Sequence, residues 1–496
     1  MSDTTIQIPL PIKDNTTGGC NFSLVDGVLF VTDDDPPPST ITGVTITGPT
    51  TVQEGATVQF SDVVTGTGPF NPAVTWSCDD GTISPSGLFT APLKVETVNI
   101  KAVSVQDPTV FAVYPISIAL PGNTVKLGPS GGDDTAAVQA ALNSTASKGQ
   151  VLELTLGTFH VNPLTVPAGT NLLVDPGVLV TDQSAYSSHA VMFNIVGSNV
   201  KITATGAFFQ MPLSLAASKA DKQEYRHCFA MQSAQISNVT LIGVTVKSAG
   251  GDCLYVRQVS NLIVSNFSGT SAYRNGTSVT GQVNNATFTN INNFANGGGD
   301  FDFEPNTPAD FLTNIAINNL TTGGGTNGGL NFGLQHLDST SKPVNIVVNG
   351  YTSTGNGGTS GPGYPIFFDS NQDGKTPAGG TVVVNNINIS NSPSAAIYGK
   401  NQGGNGLCQF TFNSITVNNP NTGGADRYGV SAVVGVELYG GQPGPAGNVT
   451  FNPTAIKAGA KSTAYFQIAG GAVNTQFNGS SSTCTGGGAN WRVTYP

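Results

Sequence analysis

Ser237-Asn-Val-Thr-Leu-Ile-Gly-Val-Thr-Val246, Ser260-Asn-Leu-Ile-Val-Ser-Asn-Phe267, Asn284-Asn-Ala-Thr-Phe-Thr-Asn-Ile291, Thr313-Asn-Ile-Ala-Ile-Asn-Asn-Leu320 and Val344-Asn-Ile-Val-Val-Asn-Gly-Tyr351 are versions of one unit. Their spacing starts at about 23 residues and stretches to about 30 where Gly/Thr-rich segments intrude, as in a solenoid whose coils carry insertions. A second strand recurs once per coil: Cys228–Met231, Cys253–Val256, Gly276–Val279, Asp300–Phe303, Leu330–Phe332, Ile366–Phe368 and Ala396–Tyr398. In a parallel solenoid equivalent residues stack in columns, because successive side chains of a strand face opposite ways. Phe229, Leu254, Thr277, Phe301, Leu330, Ile366 and Ile397 are expected to form one inward column, and Met231, Val256, Val279, Phe303, Phe332 and Phe368 the next. The many asparagines suit stacked turns.

The same alternation defines an outward face. One column there runs Ala230, Tyr255, Ser278, Asp302, Asn331, Phe367, Tyr398, and its neighbour runs Gln232, Arg257, Thr280, Glu304, Gly333, Asp369. Within it Asp300-Phe-Asp-Phe-Glu-Pro-Asn306, entered through Gly297-Gly298-Gly299, sends two phenylalanines inward and sets three carboxylates on one exposed side. Only 10% of the residues are charged, so three acids in five positions call for a reason. Next-but-one positions lie roughly 6–7 Å apart along a strand, a working distance for two carboxyl groups that share one substrate. Aromatic, acidic, amide and basic groups together suit carbohydrate: rings stack on sugars while carboxylates and amides take hydroxyls.

The 63 glycines and 30 prolines argue against a helical protein, and a net charge of −10 makes nucleic acid an unsuitable partner. Six scattered cysteines include no Cys-x-x-Cys, so zinc ligation is unsupported; buried free thiols are expected, with a Cys408–Cys484 bridge as the alternative. The start, Met1 to Pro9, lacks a basic stretch followed by an apolar one, so no signal peptide is expected. No apolar run is long enough to span a membrane. An extracellular setting is nonetheless expected, reached by a removed leader or by lysis as part of a virus particle.

Four regions follow. Residues 1–38 carry two β-like runs, Ile6–Ile12 and Phe22–Val31, and end in the stiff Pro36-Pro37-Pro38; attachment is their expected role. Residues 39–120 alternate as a small antiparallel sandwich, with strands expected at Gly43–Ile46, Thr57–Phe60, Val74–Cys78, Val98–Val105 and Phe111–Ile118 and Trp76 in its core. Val74-Thr-Trp-Ser, Asp79-Asp-Gly-Thr-Ile83 and Gly87-Leu-Phe-Thr-Ala-Pro92 resemble bacterial immunoglobulin-like domains. Residues 121–440 hold the solenoid, and 441–496 its last coils, a cap or an oligomerisation element.

Gly128-Pro-Ser-Gly-Gly-Asp-Asp-Thr-Ala-Ala-Val-Gln-Ala-Ala-Leu142 predicts a short helix capped by Asp133 or Asp134, and the coil that follows contains Gly157-Thr-Phe159. This opening resembles the pectate-lyase-like superfamily of right-handed parallel β-helices. Arg274-Asn-Gly-Thr-Ser-Val279 followed by Gly299-Asp-Phe-Asp-Phe-Glu-Pro-Asn306 resembles the Arg-x-Gly-Ile-Ser and Gly-Ile-Asp-Ile-Glu-Pro-Asn coils of bacterial polysaccharide-active members. The Asp-x-Asp element is similar to that of polygalacturonases, whose Asp-Asp and Gly-His-Gly motifs are absent here. Phe303-Glu-Pro-Asn306 is similar to the Phe-Asp-Pro-His of mannuronan epimerases, with Glu304 and Asn306 in place of Asp and His.

The fold expected is therefore all-β, a right-handed parallel β-helix preceded by an immunoglobulin-like β-sandwich. The function expected is that of a polysaccharide-degrading glycoside hydrolase, with Asp302, Glu304 and Asp300 as the catalytic acids. Asp252, Tyr255, Arg257, Arg274, Asn275, Asn331, Gln335, His336, Phe367 and Asp369 are expected to bind substrate; His227 is a further candidate. No metal or cofactor is required. The alternatives are a Ca²⁺-assisted polysaccharide lyase and a non-catalytic glycan-binding or virion protein; the expected lack of a leader, the attachment-like N-terminal segment and the β-helix together resemble phage tailspike-like proteins, which implies a homotrimer or attachment to a larger particle.

Overall fold

A computed structural model of the chain describes residues 20–25, 28–33, 39–92, 95–119, 122–182, 190–211, 225–325, 327–357, 363–370, 376–400, 408–423, 432–437, 448–469, 475–480, 482–486 and 490–495. The expected Ile6–Ile12 run and the proline spacer lie outside the described residues. The chain divides into two units, Met1–Gly122 and Asn123–Pro496.

In the first unit the expected Phe22–Val31 run is a hairpin instead, Cys20–Val25 antiparallel to Val28–Asp33. Residues 40–119 form a four-stranded sheet (51–53, 111–119, 97–104, 74–78), a three-stranded one (57–59, 88–90, 82–83) and the pair 40–47 with 61–67. Their apolar faces share one core, in which Phe60, Phe89, Val98, Ile100 and Ile116 are buried and against which Trp76 packs, partly covered. The strand at Ser61–Thr67 is absent from the expected set. Its alternation is carried by Asp62, Val64 and Gly66 rather than by large apolar residues, so pairing with Thr40–Thr47 rather than burial defines it.

The second unit is a parallel β-helix. Its first strand, Thr124–Leu127, pairs with Val151–Leu154, and between them runs the helix Thr135–Lys148, whose buried Val138 and Leu142 close the end of the first coil. Asp133 Oδ1 accepts the Thr135 N–H at 2.9 Å, whereas Asp134 turns back to the Ser130 and His160 amides. Beyond it the strands among the described residues pair in parallel, each with its equivalent one coil on. One register runs Val239, Leu262, Ala286, Ile315, Ile346, Val382, Phe410, Val449, every member buried. The two inward columns read from the sequence pair as expected, Phe229 through Ile397 and Met231 through Phe368. Each fully buried Leu, Ile or Phe contributes about 1.5–3 kcal/mol, and the stacking makes that contribution continuous along the axis.

The turns are ladders. Asn199, Asn238, Asn261, Asn285 and Asn314 adopt φ between 53° and 59°, a left-handed conformation that asparagine tolerates better than most side chains. Successive amides link the coils: Asn238 Nδ2 donates to Asn199 Oδ1 at 2.9 Å, Asn261 to Asn238 at 3.0 Å and Asn285 to Asn261 at 2.7 Å. Asn261→Ala is therefore expected to cost about 2 kcal/mol, combining backbone strain with lost hydrogen bonds, and Asn261→Gly about half that, because glycine relieves the strain alone. Denaturant unfolding of both variants separates the two contributions, and equal losses would refute the backbone share.

Cys78, Cys228, Cys253, Cys408 and Cys484 are free thiols, so the alternative Cys408–Cys484 bridge does not form.

Candidate active site

Phe301 and Phe303 enter the core as the alternation demands, and Phe303 stacks on Phe332 one coil on, with ring centroids 5.3 Å apart and 4° between planes. That anchorage fixes the short strand Phe301–Phe303 and aims Asp302 outward, in register with Ser278 and Asn331 on the adjacent coils. The three glycines ahead of it permit close approach. A Cβ on Gly298 would lie 2.2 Å from Asn275 Oδ1, and one on Gly299 would lie 2.5 Å from Asn331 Nδ2.

Asn275 is the organising amide. Its Oδ1 accepts the Gly299 N–H at 2.6 Å, and its Nδ2 donates to Ser278 Oγ at 2.9 Å and to Asp302 Oδ2 at 3.1 Å. Its own N–H donates to Asp252 Oδ1 at 2.9 Å. Arg274, next to it, donates from Nη2 to Glu304 Oε2 at 3.0 Å, while its Nε lies 3.8 Å from Asp252 Oδ1. The Asp252 charge, ahead of that of Glu304, holds the Arg274 guanidinium firmly protonated. Asp302 is half-buried. Removal from water, and then the Glu304 charge, push its carboxyl well above the usual carboxylate range, against the pull of Arg274 and the Asn275 hydrogen bond. The two carboxyls thus sit in unlike environments: Asp302 is shifted upward by burial, and Glu304 is paired with a guanidinium.

Two cavities meet at the Arg274–Glu304 pair. One, of about 410 Å³, is lined by Tyr225, Tyr255, Arg257, Thr280 and Asn306 besides the pair. The other, of about 340 Å³, is lined by Asn275, Gly299, Asp302, Asn327, Asn331, Gly333, Gln335, Phe367 and Asp369 besides the pair. Both volumes suit one or two sugar rings. Thr280 Oγ1, Asn331 Oδ1 and Gln335 Oε1 are buried in these linings without a hydrogen-bond partner among the described residues. Polar atoms in that state favour a ligand that brings hydroxyl donors and acceptors.

Most of the expected site residues come together here: Asp302, Glu304, Tyr255, Arg257, Arg274, Asn275, Asn331, Gln335, Phe367 and Asp369 line one or other cavity. Three do not. Asp300 lies off the exposed face and is fully buried, its carboxylate accepting the Asn296 amide at 2.8 Å and the Gly323 N–H at 3.0 Å. Burial, opposed by those hydrogen bonds, raises its pKa to about 7. The expectation of three acids on one face thus gives way to two, because Asp300 precedes the strand and the next coil folds over it. Asp252 is also fully buried and lines neither cavity, so it supports Arg274 and Asn275 from beneath rather than meeting substrate. His336 is exposed and borders neither cavity. His227 lies under the floor with its ring flat on Tyr255, centroids 4.2 Å apart, and its Nδ1 accepts the Asp252 N–H. Burial, and secondarily the Arg274 charge, lower its pKa to about 3, so it is a neutral spacer.

The outward column is likewise polar over fewer coils than its alternation suggests. Ala230 and Tyr255 pack with Val191 at one end, and Tyr398 packs with Tyr364, Ala395 and Phe367 at the other. Asp302 and Asn331 lie between two apolar margins. Tyr225 and Asn327 join the lining from segments without periodicity, so no sequence signal marked them, whereas Asn306 and Thr280 stood in the quoted motif and column.

No protein-family model matches the chain, and no curated protein sequence matches it. Among solved structures it resembles the A-module of the Azotobacter vinelandii mannuronan C-5 epimerase AlgE4 at TM-score 0.50 and 16% identity, over 74% of this chain and 95% of that one. The catalytic unit of a thermostable GH87 alpha-1,3-glucanase from Streptomyces thermodiastaticus gives 0.49 and 13%, over 92% and 85%. The Yersinia enterocolitica family 28 exopolygalacturonase gives 0.48 and 10%, over 90% and 98%. At these identities the likeness concerns fold and leaves the reaction to be argued from the groove.

Proposed function

We propose that the chain is a polysaccharide-degrading glycoside hydrolase working in the groove on either side of Arg274 and Glu304. The observation that carries this reading is the unlike environment of two neighbouring carboxyls. Asp302, whose carboxyl holds its proton to higher pH than an ordinary one, is placed to give it to a glycosidic oxygen, and Glu304, paired with Arg274, is the partner that activates water or attacks the anomeric carbon. The unpartnered oxygens of Thr280, Asn331 and Gln335 supply places for sugar hydroxyls, and Tyr255 and Phe367 supply ring faces. The first unit would act as an immunoglobulin-like spacer on a right-handed β-helix that works outside the cell.

Incubation of the full chain with a panel of polysaccharides tests this. New reducing ends without absorbance at about 235 nm are expected of a hydrolase, since elimination by a lyase would leave an unsaturated, absorbing product. A chain beginning at Asn123 is expected to cleave the same polymers. Absorbing products would replace the hydrolase reading by the lyase one, and binding without cleavage would replace it by a glycan-binding role.

A further inference from the structure

Taking the proposed function as given, the two halves of the groove differ in charge, and the difference carries information about the polymer. In the half lined by Tyr225 and Tyr255, two guanidinium groups, Arg257 and Arg274, face the single carboxylate of Glu304, which Arg274 already engages at 3.0 Å. Among the described residues Arg257 has no ion pair or hydrogen bond, and it is only half exposed. The lining of the other half adds Asp302 and Asp369 to the shared pair and, among the described residues, no further cation.

Arg257 is aimed by the backbone. The coil register shifts between Val256 and Gln258, where the facing strand has Thr280 and Gly281 opposite the single residue Arg257. Such bulges re-aim a side chain. A Cβ on Gly281 would lie 2.4 Å from both Cγ and the carbonyl oxygen of Arg257, so the glycine leaves the room that the arginine stem occupies. Beside it the Thr280 hydroxyl is buried and unpartnered, in the same lining as the Tyr255 ring. A planar cation with spare donors, a hydroxyl and an aromatic face are the parts that recognise a sugar ring bearing an anion.

We propose that the Arg257 half of the groove is a subsite for an anionic sugar residue, carrying a carboxylate or a sulfate ester, and that the Asp302–Asp369 half takes a neutral one. The substrate class is then an acidic heteropolysaccharide cleaved between unlike sugars, with Arg257 setting specificity rather than performing chemistry.

Binding is measured on the full-length Asp302→Asn protein, which should hold substrate without cutting it. The probes are polymers that combine anionic and neutral residues, hyaluronan and gellan with their carboxyl-reduced forms, and kappa-carrageenan with its desulfated form. At least one acidic polymer is expected to bind at least tenfold more tightly than its neutralised form, and in Arg257→Gln the two forms are expected to bind equally. Arg257→Lys, which keeps charge but not the fork, should restore part of it. Whether reduction or desulfation abolishes the preference identifies the anion. Binding indifferent to neutralisation or to Arg257→Gln, or no binding by any acidic polymer, overturns the proposal. Asp302-dependent cleavage of neutral polymers alone would overturn it and leave the hydrolase reading intact. Arg257-dependent binding with no cleavage by the wild-type chain would do the reverse.

Discussion

Asp302→Asn is expected to lower kcat by about a thousandfold, within the range that a positioned general acid supplies, with little change in melting temperature. The substitution is nearly isosteric, and the new carbonyl oxygen still accepts the Asn275 amide, so only the transferable proton is lost. Glu304→Gln should cost a comparable factor through loss of the second carboxylate. Because the wild-type acid must be protonated to act, turnover should fall as pH rises through the Asp302 pKa, which lies above the usual carboxylate range for the reasons of burial and the Glu304 charge. Rates on any cleaved polymer, measured from pH 4 to 9, check both points. Undiminished kcat in Asp302→Asn would remove this pair from the chemistry.

The second large effect is on stability and belongs to Asp300. Its carboxyl holds a proton up to about pH 7 when folded, against an ordinary value of 3.8 when unfolded. The folded chain therefore binds the extra proton between those values, and stability must decline as pH rises across that window. The stabilisation attached to this group is complete below about pH 4 and is lost above about pH 7, a swing of roughly 4 kcal/mol. Asp300→Asn has no proton to lose, so it should gain on the wild type steadily from pH 5 to about pH 7 and level off above it. Melting or denaturant titrations of both proteins across that range test this. A difference independent of pH would mean that Asp300 is ionised throughout.

These two acids also show how far the sequence reaches. Asp302 and its register with Ser278 and Asn331 were legible because a parallel coil leaves alternation no freedom: once Phe301 and Phe303 face the core, Asp302 faces away from it. The asparagine ladders were legible for the same reason, since one residue type recurring at one coil position has one stacked neighbour. Facing away from the core is a property of a strand, however, while being open to water is a property of what covers it. Asp300 is enclosed by Asn296 and Gly323, and Ala230 by Val191 and Tyr255, groups from other coils and turns. Asp252 belongs to the same class: its position was readable but its depth was not. The aim of Arg257 depends on a one-residue mismatch between coils, visible only when both strands are laid side by side. Tyr225 and Asn327 come from aperiodic segments, where spacing says nothing.

The asparagine ladders have a consequence for how such a protein can change. Coil length varies along the chain, yet between Ile315–Gly323 and Ile346–Thr354 the pairing continues without a register shift across a long intervening segment. Side-chain amide hydrogen bonds between successive coils, such as Asn349 Nδ2 to Asn318 Oδ1 at 3.2 Å and Asn385 Nδ2 to Asn349 Oδ1 at 3.0 Å, hold the rise per coil whatever the loops do. The scaffold separates two inheritances. Loops are free to be lengthened, exchanged or decorated, and so to alter which glycan is admitted, while the spacing that brings Asp302 beside Asn331 passes unchanged from one variant to the next.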